Sequence, residues 1–163
     1  MTATANGDGD GEPVVVEPAT AAAFAFAYQG TTGTVQVVEA SDPRIAELEA
    51  YRKSVGGSPV TYVVADVDNT NGATPINMYA VDVVTAEGSQ IFRARSVSHR
   101  IVKWDRGSTS ARDIRLVRKF NVYLQPGAKG TAVLSTPKPV PSIARMWVYP
   151  AGGIEQVEAF VQQ

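Results

Sequence analysis

Apolar side chains recur at every second position over much of this chain, the spacing that gathers them on one face of an extended strand. Phe24, Phe26 and Tyr28 alternate with Ala25, Ala27 and Gln29. Gly30-Thr31-Thr32-Gly33 then turns the chain into a second strand carrying Val35, Val37 and Val38. Over 60–68 the pattern changes. Thr61, Val63, Ala65 and Val67 fall on one face, Val60, Tyr62, Val64 and Asp66 on the other, so both faces are apolar at first. Such a strand belongs in the middle of a sheet, covered on both sides. Asn69-Thr70-Asn71-Gly72 supplies residues that tolerate a left-handed backbone and predicts a turn. Further strands are predicted over 76–85, 90–93, 120–124, 131–134, 145–149 and 154–161, with turns at Leu124-Gln125-Pro126-Gly127 and Ala151-Gly152-Gly153.

Only one segment has convincing helical spacing. Asp42 is a natural N-cap, and Pro43 follows at the first helical position, where its missing N–H costs nothing. Ile45, Leu48 and Tyr51 recur at helical intervals, Glu49 and Lys53 form an i,i+4 pair, and Gly56-Gly57 ends the segment. About eight strands with turns between them predict a mainly β fold, an immunoglobulin-like antiparallel β-sandwich with one inserted helix.

The 163 residues, 44% of them hydrophobic, suffice for one domain with a real core. Residues 1–22 read differently, as a flexible acidic tail or linker rich in Ala, Gly and Pro, whose charges are Asp8, Asp10, Glu12 and Glu17. Val14-Val15-Val16 is its one apolar run and has the character of a strand that adds to a sheet edge. Residues 23–163 form the predicted domain. The chain has no cysteine, which excludes a disulfide framework, a thiolate zinc site and a cysteine nucleophile. No apolar run approaches the roughly 20 residues that span a bilayer as a helix. The first residues lack the basic and apolar regions of a signal peptide.

Charge is the one uneven property. Net charge is −1, yet nine of the 15 basic residues lie between Arg93 and Lys119, opposed there only by Asp105 and Asp113. This asymmetry predicts an electropositive patch on an acidic body, suited to an anionic partner. Arg93, Arg95, Arg100, Lys103, Trp104 and Arg106 are the candidate partner-binding residues, with Trp104 as an interface anchor. The alternative for the arginines is pairing with the domain's own carboxylates. For Trp104 it is burial with Ile101 and Val102 under the segment. Aromatic interleaving is poor, with only Trp104 and Phe120 in or beside the run, which disfavours nucleic acid, where bases stack on aromatic rings.

Reactive chemistry is sparse. Asp66 and Asp68, ahead of Asn69 and Asn71, have the oxygen-rich spacing of a calcium loop but fail the EF-hand template, and a hairpin turn explains them equally well. His99 is the single histidine, with Ser96, Ser98 and Asp105 nearby in sequence, but a triad is defined by geometry. Gly127-Ala128-Lys129-Gly130 heads a strand and lacks the phosphate-loop arrangement. The expectation is a non-enzymatic protein with no cofactor and no metal.

Three segments carry a family resemblance: VTYVVADVDNTNGATPINMY, LQPGAKGTAVLSTP and the stretch around ARMWVYPAGG. Together they resemble the DUF4352-like, immunoglobulin-like domains of exported actinobacterial proteins, over about Phe24 to Val161. That resemblance implies an extracytoplasmic, cell-envelope location and no catalytic residues. Its members often follow a signal peptide and a lipid-modified cysteine. A lipid anchor here would need a cysteine upstream of the sequence given. The expected function is a non-catalytic protein-interaction module that docks a protein partner through a sheet edge or the basic 93–119 segment. The alternative is a structural subunit of a larger assembly, such as a virion or envelope complex, with the chain as a homo-oligomer.

Overall fold

A computed structural model describes residues 22–106, 110–121 and 123–162. The predicted tail lies, except for Ala22, outside the described residues. The alternating segments form β1 (Ala23–Tyr28), β2 (Thr31–Val38), β3 (Thr61–Asp68), β4 (Ile76–Asn77), β5 (Ala80–Val84), β6 (Ile91–Ser96), β7 (Tyr123–Leu124), β8 (Lys129–Thr136), β9 (Arg145–Tyr149) and β10 (Val157–Val161). Eight of them close into an antiparallel barrel in the order β1-β10-β9-β5-β6-β8-β3-β2, while β4 and β7 pair separately.

The expected immunoglobulin-like sandwich is corrected by this closure. A sandwich needs two sheets with free outer strands. Here β1 pairs with β2 along its whole length and also with β10, through Phe24 opposite Val161 and Ala25 opposite Phe160. The Gln162 N–H donates to the Ala23 carbonyl and extends that closing ladder. An eight-stranded barrel has an interior just wide enough for side chains to fill. Phe24, Phe26, Val35, Val63, Leu134 and Met146 are among those that fill it. Phe26 occupies space left by Gly33, where a Cβ would meet its ring at 2.7 Å.

The antiparallel order fixes the two rims. The starts of β1, β3, β6 and β9 lie with the ends of β2, β5, β8 and β10 on one rim, here the lower one. Asn69 fastens the upper rim. Its buried amide donates to the carbonyls of Thr74 and Leu124, its side-chain oxygen accepts from the Thr31 hydroxyl, and its backbone bonds Gly72, Gly127 and Ala128.

Three helices, not one, cover the outside of the barrel along one wall: α1 (Ala46–Ser54), α2 (Ser98–Trp104) and α3 (Ala111–Phe120). The predicted helix start is real, although Pro43–Ile45 is a 3-10 turn capped by Asp42 and the α-helix follows it. The basic 93–119 segment, for which no helix was expected, contains the other two helices. Ser110 and Asp113 form a reciprocal capping box that starts α3, leaving Asp113, Leu116 and Phe120 on its buried face. Leu48, Tyr51, Ile101, Trp104, Leu116 and Phe120 pack on Val38, Tyr62, Val64 and Val133 as a second core. Burial of each large apolar side chain contributes roughly 1.5–3 kcal/mol. This layer explains why β3 is apolar on both faces: one lines the barrel and the other lies under the helices.

Candidate partner-binding surface

The barrel is closed, but two of its joints are made over only part of their length: β1 meets β10 at two positions, and the β6–β8 joint is as short. β6 meets β5 at five positions, whereas it meets β8 at two, Arg95 opposite Ser135 and Ser96 opposite Leu134. The physical reason lies in the sequence after β8. The Val97 N–H donates to the Val133 carbonyl, and hydrogen-bonded pairs recur every second residue in an antiparallel ladder. Continuing that register past Arg95 and Ser135 places Pro137 opposite Arg93 and Pro139 opposite Ile91. Proline has no N–H to give, so the ladder stops where the next donors are required.

Parity on the other side agrees. The Thr85 N–H donates to the Gln90 carbonyl, so Gln90, Phe92 and Ala94 direct their backbone groups toward β5. Ile91 and Arg93 direct theirs toward the seam, where no strand among the described residues pairs with them. A cleft of about 390 Å³ opens there, lined by residues 90–93 and 136–138. Ile91 is 66% exposed at its mouth. Among the described residues, closure leaves the sheet edge expected from the sequence in short stretches, this seam and the part of β1 beyond Ala25 that β10 does not pair.

The structure distributes the six candidate residues unevenly. Arg93 projects from the seam strand and is held by both Asp82 carboxylate oxygens at 2.7 and 2.8 Å, with the Tyr149 hydroxyl at 2.8 Å and the Tyr149 ring beneath it. These bonds, led by the one from Asp82, raise its pKa further. Arg95, Lys103 and Arg106 are exposed and have no carboxylate partner among the described residues. Arg100 is half-buried, and its Nε is buried without a hydrogen bond. Trp104 is not an exposed anchor. It is 6% exposed, donates to the Ser58 carbonyl at 3.1 Å and packs against Gly57. Farther along the segment the cations are partly satisfied: Arg115 and Lys119 both reach Glu47, and Arg112 lies over the Tyr51 ring.

His99 marks where the cations gather. Burial, followed by the charges of Arg100, Arg95 and Lys103, holds its pKa below the usual value against a hydrogen bond involving the Ser96 backbone. It therefore stays neutral at pH 7 on an otherwise cationic surface. The other members of the triad considered from sequence do not join it. Ser98 sits 3.1 Å from Ser96, and Asp105 is hydrogen-bonded to Asp113. That second pair belongs to a buried polar group that sequence reasoning missed. Tyr51 donates to Asp113 at 2.5 Å and to the Ile101 carbonyl at 3.3 Å. Burial opposes the charge on Asp113, but bonds from Tyr51, Asp105 and Ser110 outweigh it and hold the pKa low. The Ser-x-x-Asp spacing was the visible signal for this helix start. A parallel group joins Glu49 to Arg52 and to the Tyr62 hydroxyl. Both groups tie the helices to each other or to the barrel.

Asp66 and Asp68 also have protein partners. Asp66 accepts from Arg44 and Thr131, and Asp68 from Thr70, with Lys129 nearby. Among the described residues no three His, Cys, Asp or Glu side chains gather as a metal site. None of the described helices is long and apolar enough to cross a membrane. No protein-family model, no curated protein and no solved structure matches this chain.

Proposed function

We propose that this chain is a non-catalytic protein-interaction module that accepts an extended, acidic segment of a protein partner along the open edge of β6. The observation that carries the reading is the half-made β6–β8 joint, ended by Pro137 and Pro139 at the positions where donors are needed. An added strand would gain backbone hydrogen bonds from Ile91 and Arg93, the usual source of affinity in strand addition. The uncompensated charges of Arg95, Lys103 and Arg106 would raise the association rate of an acidic segment and penalise basic ones. Asp105, the acid considered as a partner for His99, is engaged by Asp113, which favours a binding role over catalysis. The cell-envelope location forms part of this proposal through the DUF4352-like segments alone, since the barrel departs from the sandwich that the resemblance implies. Fractionation of the source cells tests it directly.

The binding test is a titration of the isotope-labelled full chain with a synthetic acidic, valine-rich peptide. Amide shifts are expected at residues 91–94, with affinity falling as salt rises. Replacing Arg95, Lys103 and Arg106 together by Ser should weaken binding and reduce that salt dependence. Shifts confined to other surfaces, or none at millimolar peptide, would remove the proposal.

A further inference from the structure

We infer that the seam on β6 takes the carboxyl-terminal end of a partner protein, running parallel to β6, with its terminal carboxylate against Arg95. This rests on the reading of β6 as a strand-accepting edge and adds which end of the partner enters it, and in which direction.

The first argument is that the seam is blind at one end. It runs along residues 90–93 and 136–138, with exposed Ile91 at its mouth and the Arg95–Ser135 pair at its upper limit. The Val97 N–H bond to the Val133 carbonyl sets the parity of that joint, so Arg95 and Ser135 exchange backbone hydrogen bonds. A strand laid along the open part of β6 therefore meets Ser135 in its own line of travel. An internal segment has to leave the sheet at that point, whereas a chain end stops there.

The second argument is charge. Antiparallel addition brings an amino end to the blind limit, and parallel addition brings a carboxyl end. Arg95 is exposed and has no carboxylate partner among the described residues. Lys103 and Arg100 share its neighbourhood, since all three charges act on His99. An ammonium would stand among like charges there, which an interface penalises, and a carboxylate among opposite ones. Adjacent strands lie about 4.8 Å apart with a rise of about 3.3 Å per residue, which leaves a terminal carboxylate within reach of the Arg95 side chain. A guanidinium holds a carboxylate through two parallel N–H bonds.

The third argument is register. With the terminal residue beside Ala94, its N–H donates to the Arg93 carbonyl, and the Arg93 N–H donates to the third-last carbonyl. The third-last N–H then donates to the Ile91 carbonyl. The second-last N–H turns to the far wall, where Pro137 offers a carbonyl and has no N–H of its own. Ala94 belongs to the barrel core and Phe92 packs against it, so the terminal and third-last side chains face inward and favour apolar residues. The second-last side chain faces outward beside Arg93, in the cleft that Lys138 also lines, and favours a carboxylate.

Titration of the isotope-labelled full chain with the amino-acetylated peptide Ser-Glu-Val-Glu-Val tests the inference in three forms: free carboxyl, carboxyl amide, and lengthened at the carboxyl end by Gly-Ser-Gly. The free form is expected to shift the amides of residues 91–95, leave Val63 unmoved, and bind roughly tenfold tighter than either other form. The lengthened form keeps the same net charge, so it separates the position of the carboxylate from its presence. Arg95→Ser, at an exposed site, should abolish the preference for the free form over the amide. Equal affinity of the three forms with shifts at residues 91–94 would leave the edge standing and overturn the chain-end assignment. A preference that survives Arg95→Ser would overturn the placement of the carboxylate. Absence of shifts at residues 91–94 with every form at millimolar concentration would remove the edge and this inference with it.

Discussion

Asn69→Ala should loosen the upper rim of the barrel more than its one small side chain suggests. The residue is fully buried, and its amide group makes three contacts that no neighbour can replace. Truncation leaves the Leu124 carbonyl and the Thr31 hydroxyl, both in buried residues, without a partner, while the Thr74 carbonyl can turn toward solvent. Each orphaned buried group costs roughly 1–3 kcal/mol, so a loss of about 3–4 kcal/mol is expected. With a urea dependence of about 2 kcal/mol per molar, the unfolding midpoint should drop by roughly 1.5–2 M at unchanged slope. Asn71→Ala, at an exposed position of the same turn, serves as the control and should stay within about 0.5 kcal/mol. A loss below about 1 kcal/mol for Asn69→Ala would show that apolar packing, not this amide, closes the rim.

Replacing Pro137 and Pro139 together by Val restores the missing donors and should let β8 continue along β6. The Ile91 and Arg93 amides should become protected and binding of the acidic peptide should fall at least tenfold, as read by hydrogen exchange and titration. Trp104→Ala should cost about 3–5 kcal/mol in urea unfolding by opening a cavity in the helix layer. Acid should destabilise the fold in a defined direction. Asp42, Glu47 and Asp113 have folded pKa values below their ordinary ones, so their contribution is present above about pH 4 and is lost as pH falls through the folded values. Midpoints measured from pH 5 to 2 should fall, and Asp113→Asn should flatten the fall by up to one proton.

The strands were legible where alternation is local. Phe24 and Phe26, Val35 and Val37, and the two-sided run from Tyr62 to Val67 announced their elements without any partner in view. Closure was not legible, because a sandwich strand and a barrel strand alternate alike. What separates them is whether Ala25 meets Phe160 across the chain's ends, a contact between residues far apart in sequence. The basic segment misled for another reason. Arginines on the outer face of α3 obscure the spacing of Asp113, Leu116 and Phe120, and the capping box is only two residues. Of the candidate surface, the clustering of cations could be read directly, whereas the burial of Trp104 and the engagement of Arg93 by Asp82 required neighbours from other strands. Pro137 and Pro139 were visible as a stiff connection, but their meaning depended on a register that only the folded ladder supplies.

Because β1 and β10 zip together, Ala23 and Gln162 finish as hydrogen-bonded neighbours. A short peptide bridge could join them without disturbing the ring, and a new opening at the exposed Gln29-Gly30 hairpin would yield a circular permutant with the same strand order. That bridge would lie on the lower rim and leave the rim fastened by Asn69 unobstructed.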